Sequence, residues 1–351
     1  MPQAALAWGE PMTEVTDLLT ALVERRDLDP GQTRALIGAL MSGRCAEAET
    51  AALLIALRMK GETAAELATA AAVLREHMVV LETGRDDVLD TCGTGGDGSG
   101  TFNISTAAAL VAAGAGVAVV KHGNRAMSSR SGSADVLAAL GVCVEGDAGC
   151  ARRCLDRAGL GFCFAPHFHP ALKHVAPVRR RLGVRTMFNL LGPLANPARA
   201  AYQLLGVGRP ELLDALAGAL SILGVRHALL VCGHDGLDEV SLSAPTRVRE
   251  VRGHELSAWE WTPEDFGMAR CVADELRADG PQESAAVIRA VLAGEDGAAR
   301  RVVLANAAAA LLAADRVATP REGVARAAAA IDGGQARAVL ERLIECSNEV
   351  V

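Results

Sequence analysis

Apolar positions recur at helical spacing through the first eighty or so residues. Leu18, Leu19, Leu22 and Val23 share one face, then Leu36, Ile37 and Leu40, then residues 51–58, then Leu67, Ala71, Leu74 and Met78. Two of these helices carry start signals: Asp29-Pro30 offers a capping oxygen followed by proline at the first helical position, and Thr63-Ala-Ala-Glu66 has the spacing of a capping box. From Val88 the period changes. Val88-Leu-Asp90, Val117-Ala-Val-Val120 and Val142-Cys-Val144 read as short buried strands, separated by helices over residues 107–113 and 133–140. Residues 170–194 hold no strand-like run and turn helical again. Residues 204–207, 227–232 and 248–251 resume the sheet, and residues 306–310 and 321–344 read as closing helices. Alternating strand and helix implies a mostly parallel sheet. The expected architecture is α/β: a small all-helical domain, residues 1–85 completed by 168–195, and a large α/β domain, residues 86–167 and 196–351. Two crossings between the lobes make a hinge.

The junction after the first strand changes this outline into a chemical expectation. Asp90-Thr-Cys-Gly-Thr-Gly-Gly-Asp97 continues through Gly98 and Gly100 to Asn103-Ile-Ser-Thr106, so a glycine-dense loop opens onto an alanine-rich helix. Glycines free the backbone to converge its N–H groups on an anion, and the cap-type residues mark a helix N-terminus that attracts negative charge. The loop lacks the Lys-Ser/Thr that ends a Walker A motif, since Gly100 is followed by Thr101-Phe102. Gly93-Thr-Gly-Gly-Asp-Gly98 matches a dinucleotide fingerprint, but Asp97 would repel a bare pyrophosphate unless a cation or a ribose hydroxyl faced it. A sugar phosphate with a metal fits better than NAD. The second strand delivers Lys121-His-Gly-Asn-Arg-Ala-Met-Ser-Ser129 to the same sheet edge, where open α/β sheets bind ligands.

Charge and composition narrow the partners. The 351 residues are half hydrophobic, with a net charge of −7 and 3% aromatic residues, which disfavours general attraction to nucleic acid or anionic membrane. An anionic substrate must be captured locally, by Lys121, Arg125 or one member of Arg179-Arg-Arg181. Nine scattered cysteines without a Cys-x-x-Cys pair argue against a disulfide framework or a zinc ribbon. No apolar run approaches the ~18 residues of a membrane span, and the expected location is the cytoplasm. After the strand ending at Cys232, the acids Asp238 and Glu239 reach the same edge; oxygen ligands beside a phosphate substrate favour Mg²⁺.

Together, Asp90-Thr-Cys-Gly-Thr-Gly-Gly-Asp97, Asn103-Ile-Ser-Thr106, Lys121-His-Gly-Asn-Arg125, Phe188-Asn-Leu-Leu-Gly-Pro-Leu-Ala-Asn-Pro197 and Leu237-Asp-Glu-Val240 resemble the anthranilate phosphoribosyltransferase family over nearly the full chain. The resemblance implies a homodimer of nucleoside phosphorylase/phosphoribosyltransferase-like fold that joins anthranilate to 5-phosphoribosyl diphosphate in tryptophan biosynthesis, with two Mg²⁺ ions. It implies a diphosphate site at Gly93, Gly96, Asp97, Thr101, Asn103, Ile104, Ser105, Thr106, Lys121, His122, Gly123, Asn124, Arg125, Ala126, Met127, Ser128 and Ser129, with Ser133 at its margin. Ser105 and Glu239 resemble ligands of one Mg²⁺, and Asp238 and Glu239 of a second. Gly93, Asn124 and Arg179 resemble the anthranilate contacts. The alternatives are a pyrimidine nucleoside phosphorylase, less similar at Asn103-Ile-Ser-Thr106 and at the acid pair, and a non-catalytic relative that binds nucleic acid.

Overall fold

The computed structural model of the chain describes residues 13–126 and 131–349. Four helices lead: α1 (Thr13–Val23), α2 (Pro30–Ser42), α3 (Glu47–Lys60) and α4 (Ala64–Glu76). At the start of α2, Asp29 Oδ1 accepts from the Gln32 N–H at 2.8 Å while Gln32 Oε1 accepts from the Asp29 N–H at 3.0 Å, the reciprocal cap that its sequence signals. Thr63 and Glu66 form the same box ahead of α4. Glu66 is fully buried, and pairing with Lys60 Nζ at 2.8 Å and accepting from the Leu28 N–H at 2.9 Å let a carboxylate stand there.

The α/β part then runs through β1 (Leu89–Gly93), α5 (Ile104–Gly114), β2 (Val119–Gly123), α6 (Ser133–Ala139), α7 (Ala148–Ala158) and β3 (Leu160–Phe164). A short helix, α8 (Ala165–Phe168), stays against β3, and two more return to the helical bundle: α9 (Ala176–Leu182), which packs on α3, and α10 (Phe188–Leu191), which packs on α4. There follow β4 (Tyr202–Gly206), α11 (Leu213–Ile222), β5 (His227–Gly233), β6 (Thr246–Arg252), β7 (Glu255–Trp261), α12 (Pro281–Leu292), α13 (Ala298–Ala313), α14 (Pro320–Asp332) and α15 (Gln335–Asn348).

The strands form one sheet in the order β3-β2-β1-β4-β5-β6-β7, parallel from β3 to β5 and antiparallel at β6 and β7. From β1 the chain first winds outward through β2 and β3, then returns to β4 on the other side. The sheet therefore has its switch point between β1 and β4, where a crevice opens at the carboxyl ends of the strands. Alanine-rich α5 is buried on nearly all sides between β1 and helices α13 and α15. Small side chains are what allow that approach: a Cβ on Gly114 would stand 2.7 Å from the Ala336 Cα. The helical bundle's core is continuous with the sheet through α11, where Leu36, Leu54 and Leu74 join Leu216, Leu205 and Leu230 in one apolar cluster.

Three sequence expectations change. Val142-Cys-Val144 is not a strand; both valines are buried, but the Cys143 N–H donates to Ser347 Oγ at 3.0 Å, so α15 rather than a neighbouring strand satisfies this segment. The edge strand on that side is β3, and β7 is a further strand that the sequence reading does not anticipate. The closing helix over 321–344 is two helices, broken at Gly333-Gly334, where Gly334 takes φ 78°.

Candidate active site

At the ends of β1 and β4, Gly93 pairs with Gly206, and the missing side chains open a slot that Asp238 fills. A Cβ on Gly93 would come within 2.8 Å of Asp238 Oδ2, and one on Gly206 would overlap the Asp238 carbonyl oxygen. Asp238 Oδ2 in turn accepts from the Gly95 N–H at 3.0 Å. Gly95, Gly96, Gly98 and Gly100 all take positive φ, between 62° and 76°, a region costly for any residue with a Cβ. Gly206→Ala should push the Asp238 segment away from the loop and lower stability by about 1–3 kcal/mol. Thermal melting with and without Mg²⁺ checks this: an unchanged melting temperature would mean that the slot has slack.

Asn103 caps α5, its Oδ1 accepting from the Thr106 N–H at 3.0 Å, which leaves Ser105 in the first turn facing the crevice. Lys121, near the end of β2, is 2% exposed; its Nζ donates to Thr91 O at 2.6 Å and to Ser105 Oγ at 3.0 Å. Burial pulls the ammonium pKa down, and Asp90, Cys92, Glu239 and Asp238 oppose that pull. Asp238 and Glu239 keep one side open to the crevice and are enclosed by protein on the others. Burial, then the nearby Asp97, raises Asp238 to about 7; burial and Asp238 push Glu239 well above the carboxylate range. Asp97 Oδ2 is buried without a partner. Acids held together at this desolvation cost could be relieved by a cation. Among the described residues no three His, Cys, Asp or Glu side chains converge to enclose a metal by themselves. That suits Mg²⁺, which takes one or two carboxylates and completes its shell with water and substrate oxygens.

The opposite wall comes from the return segment. His122 Nδ1 lies 3.0 Å from Gly192 O, and its ring is 4.9 Å from that of His169. Burial lowers both imidazoles, His169 to about 3, so both are neutral near pH 7. Arg179 stands over the Phe188 ring at 5.5 Å, while Arg180 is exposed and Arg181 pairs with Glu47 at 2.5 Å. The fold thereby separates the three adjacent arginines: only Arg179 faces the crevice.

These walls enclose a cleft of about 350 Å³. Every described residue of the expected site lines it except Thr106, which sits within α5, 1% exposed, behind the capped turn. Met127, Ser128 and Ser129 lie outside the described residues. Arg125 reaches the cleft with its charge already engaged, its guanidinium donating to Asp135 at 3.3 Å and Glu145 at 2.8 Å. The sequence reading missed Arg185, His169 and Phe188 as lining residues; nothing local distinguishes Arg185 from other arginines. A larger hollow of about 720 Å³ lies at the other end of the sheet, around the start of β5, but its His227, Glu250, Arg252 and Asp315 satisfy one another.

A helical bundle beside a mostly parallel sheet, with an anion-ready crevice at the switch point, defines a two-domain glycosyl transferase. Residues 16–78 match the helical bundle domain and residues 85–337 the a/b domain of a glycosyl transferase family. The anthranilate phosphoribosyltransferase of Symbiobacterium thermophilum is 53% identical over 333 residues, covering 95% of this chain and 98% of that protein. The crystal structure of the enzyme of that name from Thermus thermophilus is 44% identical with a TM-score of 0.89, covering 95% of this chain and 100% of the other. The Saccharomyces cerevisiae enzyme, solved in complex with PRPP and Mg, is 27% identical with a TM-score of 0.88, covering 97% and 99%. The chain belongs to the anthranilate phosphoribosyltransferase family.

Proposed function

We propose that this chain transfers the phosphoribosyl group of 5-phosphoribosyl diphosphate to the amine of anthranilate, giving N-(5-phosphoribosyl)anthranilate and pyrophosphate in tryptophan biosynthesis. One observation carries the reading: the glycine loop, Lys121 and the Asp238–Glu239 pair line one cleft with Arg179. The loop from Gly93 to Thr101, the α5 N-terminus and the segment from Lys121 to Ser129, with Ser133 beside it, would hold the diphosphorylated sugar. Ser105 with Glu239, and Asp238 with Glu239, would hold two Mg²⁺ ions, which supply neutralisation of the charge that grows on the departing pyrophosphate. The donor set fits, because adjacent carboxyl oxygens and a hydroxyl are ligands Mg²⁺ takes, and a dication would relieve the repulsion between the two acids. Family membership supports a homodimer, cytoplasmic location, and the division into a helical domain (1–85 with 168–195) and an α/β domain.

The reaction needs no nucleophile from the protein. The amine nitrogen bonds to the anomeric carbon while the carbon–oxygen bond to pyrophosphate breaks, its electron pair leaving with the pyrophosphate. The chain's own residues work by position and charge. Lys121 offers a buried ammonium near the acid pair, and the N-terminus of α5 adds about half an elementary charge. Asn124 and Arg179 orient the substrate's carboxylate and ring, and the neutral imidazoles of His122 and His169 leave that pull to the guanidinium. Arg179→Ala should raise the anthranilate KM by about 10- to 100-fold with little change in kcat, the loss of one charge-assisted contact. Steady-state kinetics with anthranilate varied checks it, and an unaltered KM would remove Arg179 from the site.

Purified protein mixed with anthranilate, phosphoribosyl diphosphate and Mg²⁺ should quench anthranilate fluorescence as product forms. Absence of turnover, with phosphorolysis of thymidine or uridine instead, would overturn the reading.

A further inference from the structure

A loop that offers its amides to an anion must turn its carbonyl oxygens elsewhere, and those oxygens need donors. Arg185 supplies them: Nη1 donates to Gly95 O and Nη2 to Thr94 O, each at 2.6 Å. The guanidinium fork suits two carbonyls in a way that a single ammonium does not. The opposite face of the same peptides is held by Asp238, through the Gly95 N–H at 3.0 Å. Gly96 completes the arrangement, because a Cβ there would overlap the guanidinium and its φ of 76° already favours glycine. Holding a cation here is costly. Arg185 Nε is buried without a partner, and Arg209 and Arg58 stand close enough to oppose its charge, with Asp238 and Asp97 supporting it. Arg185 also lies between α9, which carries Arg179, and α10.

We propose that Arg185 is a positioning residue for the diphosphate: it pins the carbonyls of Thr94 and Gly95 and fixes which way the loop's peptide planes face. This rests on the function proposed above. The test compares wild type, Arg185→Lys and Arg185→Ala with each substrate varied in turn. Both variants should raise the KM for phosphoribosyl diphosphate by about 10- to 100-fold while the anthranilate KM moves by less than about threefold. Guanidinium ion should restore part of the loss in Arg185→Ala and none in Arg185→Lys. A wild-type KM for the diphosphate in Arg185→Lys would overturn the proposal, since charge alone would then suffice. Equal rises in both KM values with a lowered melting temperature and no rescue would also overturn it, assigning Arg185 a purely structural role.

Calorimetric binding of pyrophosphate with Mg²⁺ separates the two readings. If wild type turns over no anthranilate yet binds pyrophosphate about tenfold or more tighter than Arg185→Lys, the functional reading fails and the clamp stands. Equal pyrophosphate binding, or none to either protein, overturns the clamp.

Discussion

Replacing the acid pair, Asp238→Asn together with Glu239→Gln, should lower kcat/KM by on the order of a thousandfold while making the metal-free protein more stable. Both effects have one cause. The two carboxyls are enclosed together near Asp97, and burial is the largest contribution to raising each of them. Amides of nearly the same shape carry no charge to desolvate, but they give a dication far less to hold. The pH dependence follows by linkage. Asp238 has a folded pKa of about 7, above the ~3.9 of an unfolded aspartate. Its stabilising contribution is therefore complete below about pH 4 and is lost as pH rises through about 7, by at most ~1.4 kcal/mol per pH unit. Metal-free wild type should fall behind the double variant in melting temperature across that window, and Mg²⁺ should close the gap for wild type alone. Binding of Mg²⁺ should also tighten from pH 6 to pH 8, because the ion competes with protons. Full activity of the double variant across a magnesium titration would remove both acids from the metal site.

What was legible in the sequence was mostly local chemistry. The caps at Asp29 and Thr63 depend on side chains three residues apart, and the structure forms both. The glycine loop and Lys121 could be placed at one sheet edge because a strand-helix-strand unit puts both strand ends there. Elements without a local signature were missed. β7 is largely exposed, so no alternation of buried and open positions marks it, and the five-residue apolar run of β3 has no period of its own to read. Val142 and Val144 mislead for the converse reason: alternate burial signals a strand only when a neighbouring strand supplies the hydrogen bonds, and here α15 does. Sequence-local reasoning could not separate Arg179 from its two neighbours, which differ only in what the folded return segment turns each towards. Arg185 was invisible because its partners, the carbonyls of Thr94 and Gly95, lie about ninety positions earlier in the chain.

Lys121→Met should lower kcat/KM by about a hundred- to a thousandfold without a large loss of stability, because burial already disfavours the ammonium. The ammonium is 2% exposed and stands among Asp90, Cys92, Glu239 and Asp238. Asp90 is fully buried with one carboxyl oxygen lacking a hydrogen bond, and burial already raises its pKa, so loss of the nearby cation leaves it to take up a proton. That proton, and the desolvation cost the ammonium no longer carries, offset the lost attraction between the two groups. The metal response distinguishes this variant from a damaged site. Lys121 repels a dication placed at Glu239, so its loss should leave Mg²⁺ binding to the free protein as tight as in wild type or tighter, while phosphoribosyl diphosphate binding collapses. Titration calorimetry with each ligand, beside a melting curve, reads both halves. Parallel loss of Mg²⁺ and diphosphate binding would mean that Lys121 shapes the cleft; loss of the diphosphate alone would mean that its charge captures the substrate.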